Sequence, residues 1–184
     1  LYARTASEDR LAAIGENLQK HLLMFNYRGD LNGRHNLPGE PMLDPFTGAL
    51  MVLGLALALS RMPRSRSILL VAWLLLMLMG GVLSLGFEAP QSLRSIGALP
   101  VVYLLAATVV YELWMEWRRT RQGQSQVVFW LPVALLLAVV AYSNVHTYFI
   151  RQANNFKSWT ESAAPETIAA QILGELGEDV QPYV

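Results

Sequence analysis

The chain contains no cysteine, so disulfides play no part in it and cysteine usage says nothing about its redox compartment. Charge carries no overall bias either, because 14 Lys and Arg balance 14 Asp and Glu. No His-Glu-x-x-His pattern or Cys cluster occurs, and the separated His35 and His146 form no metal signature. Neither G-x-G-x-x-G nor G-x-x-x-x-G-K-[ST] is present, so soluble nucleotide binding lacks support. Nucleic-acid binding would need a basic face on a soluble domain, and that is missing as well. There is no internal repeat and no low-complexity tract.

What the chain does have is apolar sequence gathered in blocks. Of its 184 residues, 53% are hydrophobic. They fall into runs of roughly 46–61, 67–87, 96–113 and 127–148 rather than into amphipathic stripes. A membrane span needs about 20 mostly apolar residues, and each of the four approaches or exceeds that. The first is short at one end, where Pro45 and Gly48 suggest a turn entering the bilayer. The expectation is an all-α integral membrane protein with about four transmembrane helices and exterior amphipathic helices and loops. Its regions are an exterior helix and loop over 1–45, a transmembrane part over 46–148, and an exterior tail over 149–184 that begins a soluble domain. Gly54 in the first span and Gly80-Gly81 in the second read as close helix contacts.

The connections orient the bundle. The first, Arg61-Met62-Pro63-Arg64-Ser65-Arg66, is short and basic; the second, taken from Glu112 to Gln126, holds Arg118, Arg119 and Arg121. The positive-inside rule puts both on the cytoplasmic side. The N-terminal segment, the loop between the second and third spans and the C-terminal tail then face the exterior. Tyr111, Trp114, Trp117 and Trp130 flank the second basic connection as interfacial anchors.

Outside the spans, Leu11, Ile14, Leu18, His21, Leu22 and Phe25 recur at helical spacing over 7–25, with Ser7 or Thr5 placed to cap the start. Low basic content favours packing of this helix on protein over a purely electrostatic membrane contact. Residues 26–48 read as a loop punctuated by Gly, Asn, Asp and Pro, with Pro38-Gly39 a strong turn signal. Ala163 to Leu176 reads as a helix with Pro165 in its first turn. The chain begins with Leu1 and ends on Val180-Gln181-Pro182-Tyr183-Val184, which reads like the start of a strand. A fragment of a longer protein is therefore expected.

Two exterior loops carry the candidate chemistry. Glu88 and Arg94 are the only charged side chains in the loop 86–100. Charge held this close to hydrocarbon sits either at the water interface or in a functional site. The functional reading of Arg94 is a fixed guanidinium that holds a lipid-linked phosphate bidentately; the plainer reading is headgroup contact or pairing with Glu88. Arg34 and His35 lie in the glycine-rich loop with Asp30, Glu40 and Asp44 nearby. They could bind a sugar or phosphate, or supply an acid or base. The favoured alternative is a structural loop whose Asn and Asp side chains close turns on their own backbone. Arg151 and Lys157 are placed at the exterior interface.

The runs Gly29-Asp30-Leu31-Asn32-Gly33-Arg34-His35-Asn36-Leu37-Pro38-Gly39-Glu40-Pro41-Met42-Leu43-Asp44 and Glu88-Ala89-Pro90-Gln91-Ser92-Leu93-Arg94-Ser95-Ile96-Gly97-Ala98-Leu99-Pro100 together resemble bacterial multi-pass glycosyltransferases of the GT-C type. The similarity is to family 39 and the protein mannosyltransferases, over most of the chain and to the second half of such an enzyme. The resemblance implies a bacterial plasma-membrane location, an exterior active site, a polyprenyl-phosphate-sugar donor and inverting transfer to an acceptor. Membrane lipids and the remainder of the parent chain are the other implied partners. Transfer in the family is metal-assisted or metal-free, so a divalent metal is an expectation for the full-length enzyme only. Arg94 matches the family's basic residue where the lipid phosphate sits. Gln91 stands near the place of a frequent histidine. Glu88, Gln91, Arg34 and His35 join Arg94 as the lipid-phosphate or substrate-binding set. The family's catalytic aspartate belongs to an earlier exterior loop, so no residue here is its base.

Two other classes stay open. A non-catalytic four-span scaffold or complex subunit predicts a partner over the exterior loops. A transporter ranks lower, since repeats and polar residues near mid-span are lacking.

Overall fold

In the computed structural model, residues 7–84, 86–162 and 164–175 are described, and among them every regular element is helical. Helix α1 spans Ser7–Leu23, α2 Pro45–Ser60 and α3 Ser65–Val82. Two 3₁₀ segments, Gly86–Glu88 and Leu93–Ala98, lead into α4, Leu99–Thr120. Helix α5, Val127–His146, continues through a π-helical turn, Thr147–Gln152. The short α6, Phe156–Glu161, and α7, Ala164–Glu175, complete the order. Thr5, Ala163, Leu176 and residues 180–184, where the sequence reads as the start of a strand, lie outside the described residues, as does the side chain of Ser7.

Three helical stretches are long and apolar enough to cross a membrane: Ser65–Val82, Leu93–Thr120 and Val127–Gln152. The first expected span falls short. With 16 residues, α2 is about 24 Å long at 1.5 Å per residue, against a hydrocarbon core of about 30 Å. Pro45 and Gly48 also differ from the expected turn. Asp44 caps α2 by accepting from the backbone N–H of Phe46 and Thr47, and Pro45 occupies the first helical position, where its missing donor costs nothing. Gly48 is helical, and the Asn26 side chain fills the place a Cβ would take.

Helix α4 is longer than expected. The second basic connection shrinks to 121–126 because Glu112 and Glu116 stay helical. Each has a cationic partner that lets it remain there: Arg61 holds Glu112 through two bonds of 2.6 and 2.8 Å, and Arg119 pairs with Glu116 one turn on.

Packing centres on α2, α3, α4 and the loop ends. Phe25, Leu43, Met51, Leu74, Leu78, Val102 and Leu105 belong to one buried cluster. Gly54 brings α2 against the Leu105 backbone of α4, as its glycine suggested. The 3₁₀ segment Leu93–Ala98 does not hang outside as a loop. It folds along α3, where Trp73 Nε1 donates to Gly97 O at 3.2 Å and Gly80 faces the Arg94 carbonyl.

Helix α5 has no buried residue and is tied at its two ends. At the basic end, Trp114 of α4 packs on Phe129 and Trp130 with centroids 5.0 and 5.1 Å apart. At the other end, Asn144 reaches Asp44 at 3.4 Å and Arg151 pairs with Glu40 at 3.1 Å. The Arg61 connection and the 121–126 connection thus share one end of the bundle. The loop 26–44, the segment 86–98 and α6 share the other.

Candidate functional site

The site end is built on the exit from α1. After Leu23 the chain turns back, and Met42 N and Leu43 N donate to Met24 O and Phe25 O, closing the base of the 26–44 loop. The turn at Pro38-Gly39 forms as expected. Gly39 has φ +78°, a left-handed conformation that favours glycine, and its N–H reaches Asp30 O.

Within that loop the short polar side chains close turns as the structural reading required. Asp30 Oδ1 accepts from Asn32 N at 2.8 Å, Asn32 Oδ1 from Arg34 N at 3.0 Å, and Asn36 Nδ2 donates to Glu40 O at 2.7 Å. Asp30 does more. It is buried, and its Oδ2 accepts from both Ser92 N at 2.9 Å and Ser92 Oγ at 2.7 Å. The two loops that carry the candidate residues are therefore latched together. His35 stands beside this latch, with Nδ1 3.5 Å from Asp30 Oδ2, too long for a well-formed hydrogen bond.

A second latch uses His21, which is fully buried. Its Nδ1 lies 2.7 Å from Asn17 O, and Gln91 N donates to Nε2 at 3.1 Å. Those partners require a neutral ring protonated at Nδ1. Burial lowers the His21 pKa, and it outweighs the hydrogen bond to Asn17 O and the Asp30 charge, which both act upward. Gly81 supplies the room: a Cβ there would strike the imidazole and Ser95 Oγ. One turn earlier, Asn17 Nδ2 donates to Val82 O at 3.2 Å and reaches Ser84 O at 3.5 Å, satisfying carbonyls left free at the end of α3. The expected packing of α1 on protein thus runs through these polar side chains and through Leu18, which packs on the buried core. Leu11 and Ile14, expected on the packed stripe, are exposed.

The candidate residues divide between these loops. Gln91 Nε2 donates to Glu88 Oε2 at 2.8 Å. Arg94 reaches the same oxygen only at 3.9 Å, and both members of that pair are substantially exposed, so the contact is weak. Arg34 Nε donates to the Glu161 carbonyl, and Glu161 Oε2 accepts from Gly33 N. Helix α6, capped by Asn155, therefore clasps the first loop. Lys157 lies one turn before Glu161, 3.6 Å from its carboxylate.

Between the three pieces lies an open cleft of about 430 Å³ whose lining includes Asp30, Arg34, Glu88, Gln91, Lys157 and Glu161. Mixed acids, amides and cations of this kind can hydrogen-bond sugar hydroxyls and balance a phosphate charge. Arg94 and His35 are outside it. Arg94 stands beyond the Glu88 side, and His35 faces a smaller cavity of about 220 Å³ with Met24, Phe25 and Met42. His21, Ser92 and Glu161 were not singled out as site residues from the sequence. His21 had a usable signal, since it follows Asn17 by four residues on a face that is otherwise apolar.

A divalent metal does not fit the described residues. Among them no three His, Cys, Asp or Glu side chains come together as ligands, and both oxygens of Asp30 are already taken by N–H and O–H donors. Beyond the cleft, Asp44 has a lowered pKa: burial opposes its charge, but donors from Thr47, Asn144 and Phe46 outweigh that. No family model, curated protein or solved structure matches the chain.

Proposed function

We propose that this chain is part of a membrane glycosyltransferase that moves a sugar from a polyprenyl-phosphate donor to an acceptor on the exterior face. In this reading α2, although short, counts with the three longer helical stretches as a fourth span. The Arg-rich end lies in the cytoplasm, both terminal segments lie outside, and the membrane is the bacterial plasma membrane. The observation that carries it is the cleft at the loop end, where Arg34, Lys157, Glu88 and Glu161 surround a space of about 430 Å³.

Arg94 has the accessibility a donor-phosphate ligand needs, being about half exposed. Exposed Leu93 and Ile96 beside it offer an apolar surface for the prenyl chain. Its role is electrostatic: a guanidinium beside the departing lipid phosphate stabilises the charge that develops there. The base that deprotonates the acceptor is to be sought outside these residues. Loss of one such charge-stabilising contact is worth on the order of a hundredfold in rate. Turnover of a polyprenyl-phosphate sugar by the full-length enzyme is therefore expected to fall by that order with Arg94→Ala. Unchanged turnover would sink the assignment.

A non-catalytic four-span scaffold or complex subunit is the second reading. The observation favouring it is that Asp30, His21 and the Gln91 amide are spent on one another's loops, as a rigid cap requires.

A further inference from the structure

The opposite end of the bundle holds a groove of about 570 Å³ between α2, α3 and α4. Its rim carries Arg61, Arg64 and Arg66, and these three arginines are not equivalent. Arg61 is spent on Glu112 through a bidentate pair, which leaves that pair neutral. Arg64 and Arg66 are exposed, and neither forms an ion pair among the described residues. Two guanidiniums without a close carboxylate partner therefore face the groove, Arg64 being attracted to Glu112 only at longer range.

Between them the backbone turns into α3. Arg64 is the N-cap and provides no side-chain cap bond, so first-turn N–H groups are left without helical acceptors. Ser67 adds an independent mark. It is 5% exposed and lines the groove, yet its hydroxyl makes no hydrogen bond among the described residues. Its oxygen is not sealed inside the protein, so the hydroxyl is free to donate to a ligand in the groove. Leu57 and Leu70 form apolar walls below.

We propose that this groove binds the phosphate of an anionic phospholipid. The two free guanidiniums and the Ser67 hydroxyl meet the phosphate oxygens, and the acyl chains run along Leu57 and Leu70. Apolar walls select a lipid over free phosphate, and basic pockets between spanning helices at the cytoplasmic side favour anionic headgroups. The proposal rests on the membrane-spanning reading of α3 and α4 with this end cytoplasmic. It is independent of sugar transfer. The second basic connection differs: Arg119 is paired with Glu116, Arg118 lies over the Trp114 ring at 5.7 Å, and the cavity they border also holds the Glu112 and Glu116 carboxylates.

The test is lipid retention by the 184-residue chain, purified in detergent and measured by native mass spectrometry after exposure to phosphatidylglycerol or phosphatidylcholine. Phosphatidylglycerol is expected to be retained preferentially. R64Q/R66Q should cut its retention roughly tenfold or more, since each basic residue at the membrane surface contributes about a factor of five. R118Q/R121Q should change it less than about twofold, because Arg118 borders a separate cavity whose Glu112 and Glu116 carboxylates offset its charge. Ser67→Ala alters no charge and should cost roughly two- to threefold, a result open to measurement even if the double variant fails to fold. Equal retention of phosphatidylcholine, equal loss in R118Q/R121Q, unchanged retention in Ser67→Ala, or displacement of the lipid by millimolar inorganic phosphate would each overturn the proposal. None of these readouts involves a sugar donor, so failure here is distinct from failure of the transferase reading.

Discussion

Asp30 and Ser92 lie 62 positions apart and are joined twice, the Ser92 N–H and hydroxyl both donating to one buried carboxylate oxygen. Asp30→Ala leaves both donors unpaired in the interior and is expected to destabilise the chain by about 3 kcal/mol, since bonds to a charged acceptor are the stronger kind. Ser92→Ala keeps the backbone bond and should cost about 1 kcal/mol. Chemical unfolding in detergent, followed by circular dichroism, measures both. Equal losses for the two variants would mean that the hydroxyl bond alone closes the latch.

The His21 latch predicts a pH dependence. Burial lowers the native pKa of His21, so the unfolded chain takes up a proton before the folded one does. The stabilisation is complete above the ordinary histidine value of about 6.5. It is lost as pH falls from there towards the depressed native value. Protonation also replaces the acceptor at Nε2 with a donor facing the Gln91 N–H. Lys20 adds to the lowering, while Asp30 and the Asn17 carbonyl oppose it. Melting temperature should therefore fall between pH 7 and pH 5.5, and His21→Gln should flatten that slope. Asp44, whose pKa is also lowered, acts in the carboxylate range, well below this window.

The uncharged interiors of α3 and α5 were legible as apolar blocks, and Gly54 and Gly81 as close contacts, because both signals are local. Helix ends were less so. Asp44-Pro45 reads as a turn unless the aspartate is recognised as a cap and the proline as a first helical residue. Glu112 reads as the start of a loop until Arg61, 51 residues away, is seen to neutralise it. The candidate site was legible as two loops, not as one assembly. The Asp30–Ser92 and His21–Gln91 contacts join positions whose separation leaves no periodic trace, and Glu161 enters only because α6 folds back over Gly33.

The Arg61–Glu112 pair links α2 to α4 with two short charge-assisted bonds. Charge reversal at one partner, Arg61→Glu, places two carboxylates together and should lower the melting temperature. The double exchange R61E/E112R should recover part of that loss, as a double-mutant cycle reports the pair itself. Equal melting temperatures for the single and double variants would show that the pair does not join the helices.

Two glycines in helix interiors should respond to alanine with opposite signs. At Gly54 a Cβ meets the Leu105 carbonyl oxygen, carbonyl carbon and Cα of α4, all backbone atoms that no rotamer change can move aside. The helices must separate, and overpacking of this kind costs about 1–3 kcal/mol. At Gly15 in α1 a Cβ meets nothing within 4 Å, so only the backbone terms act. Alanine restricts the unfolded chain and favours the helix, which should stabilise by about 0.4–1 kcal/mol. Unfolding midpoints of Gly54→Ala and Gly15→Ala in the same detergent compare the two directly. A neutral Gly54→Ala would mean that α2 and α4 are not held as close as Leu105 requires, and with it the short α2 would lose its main support against α4.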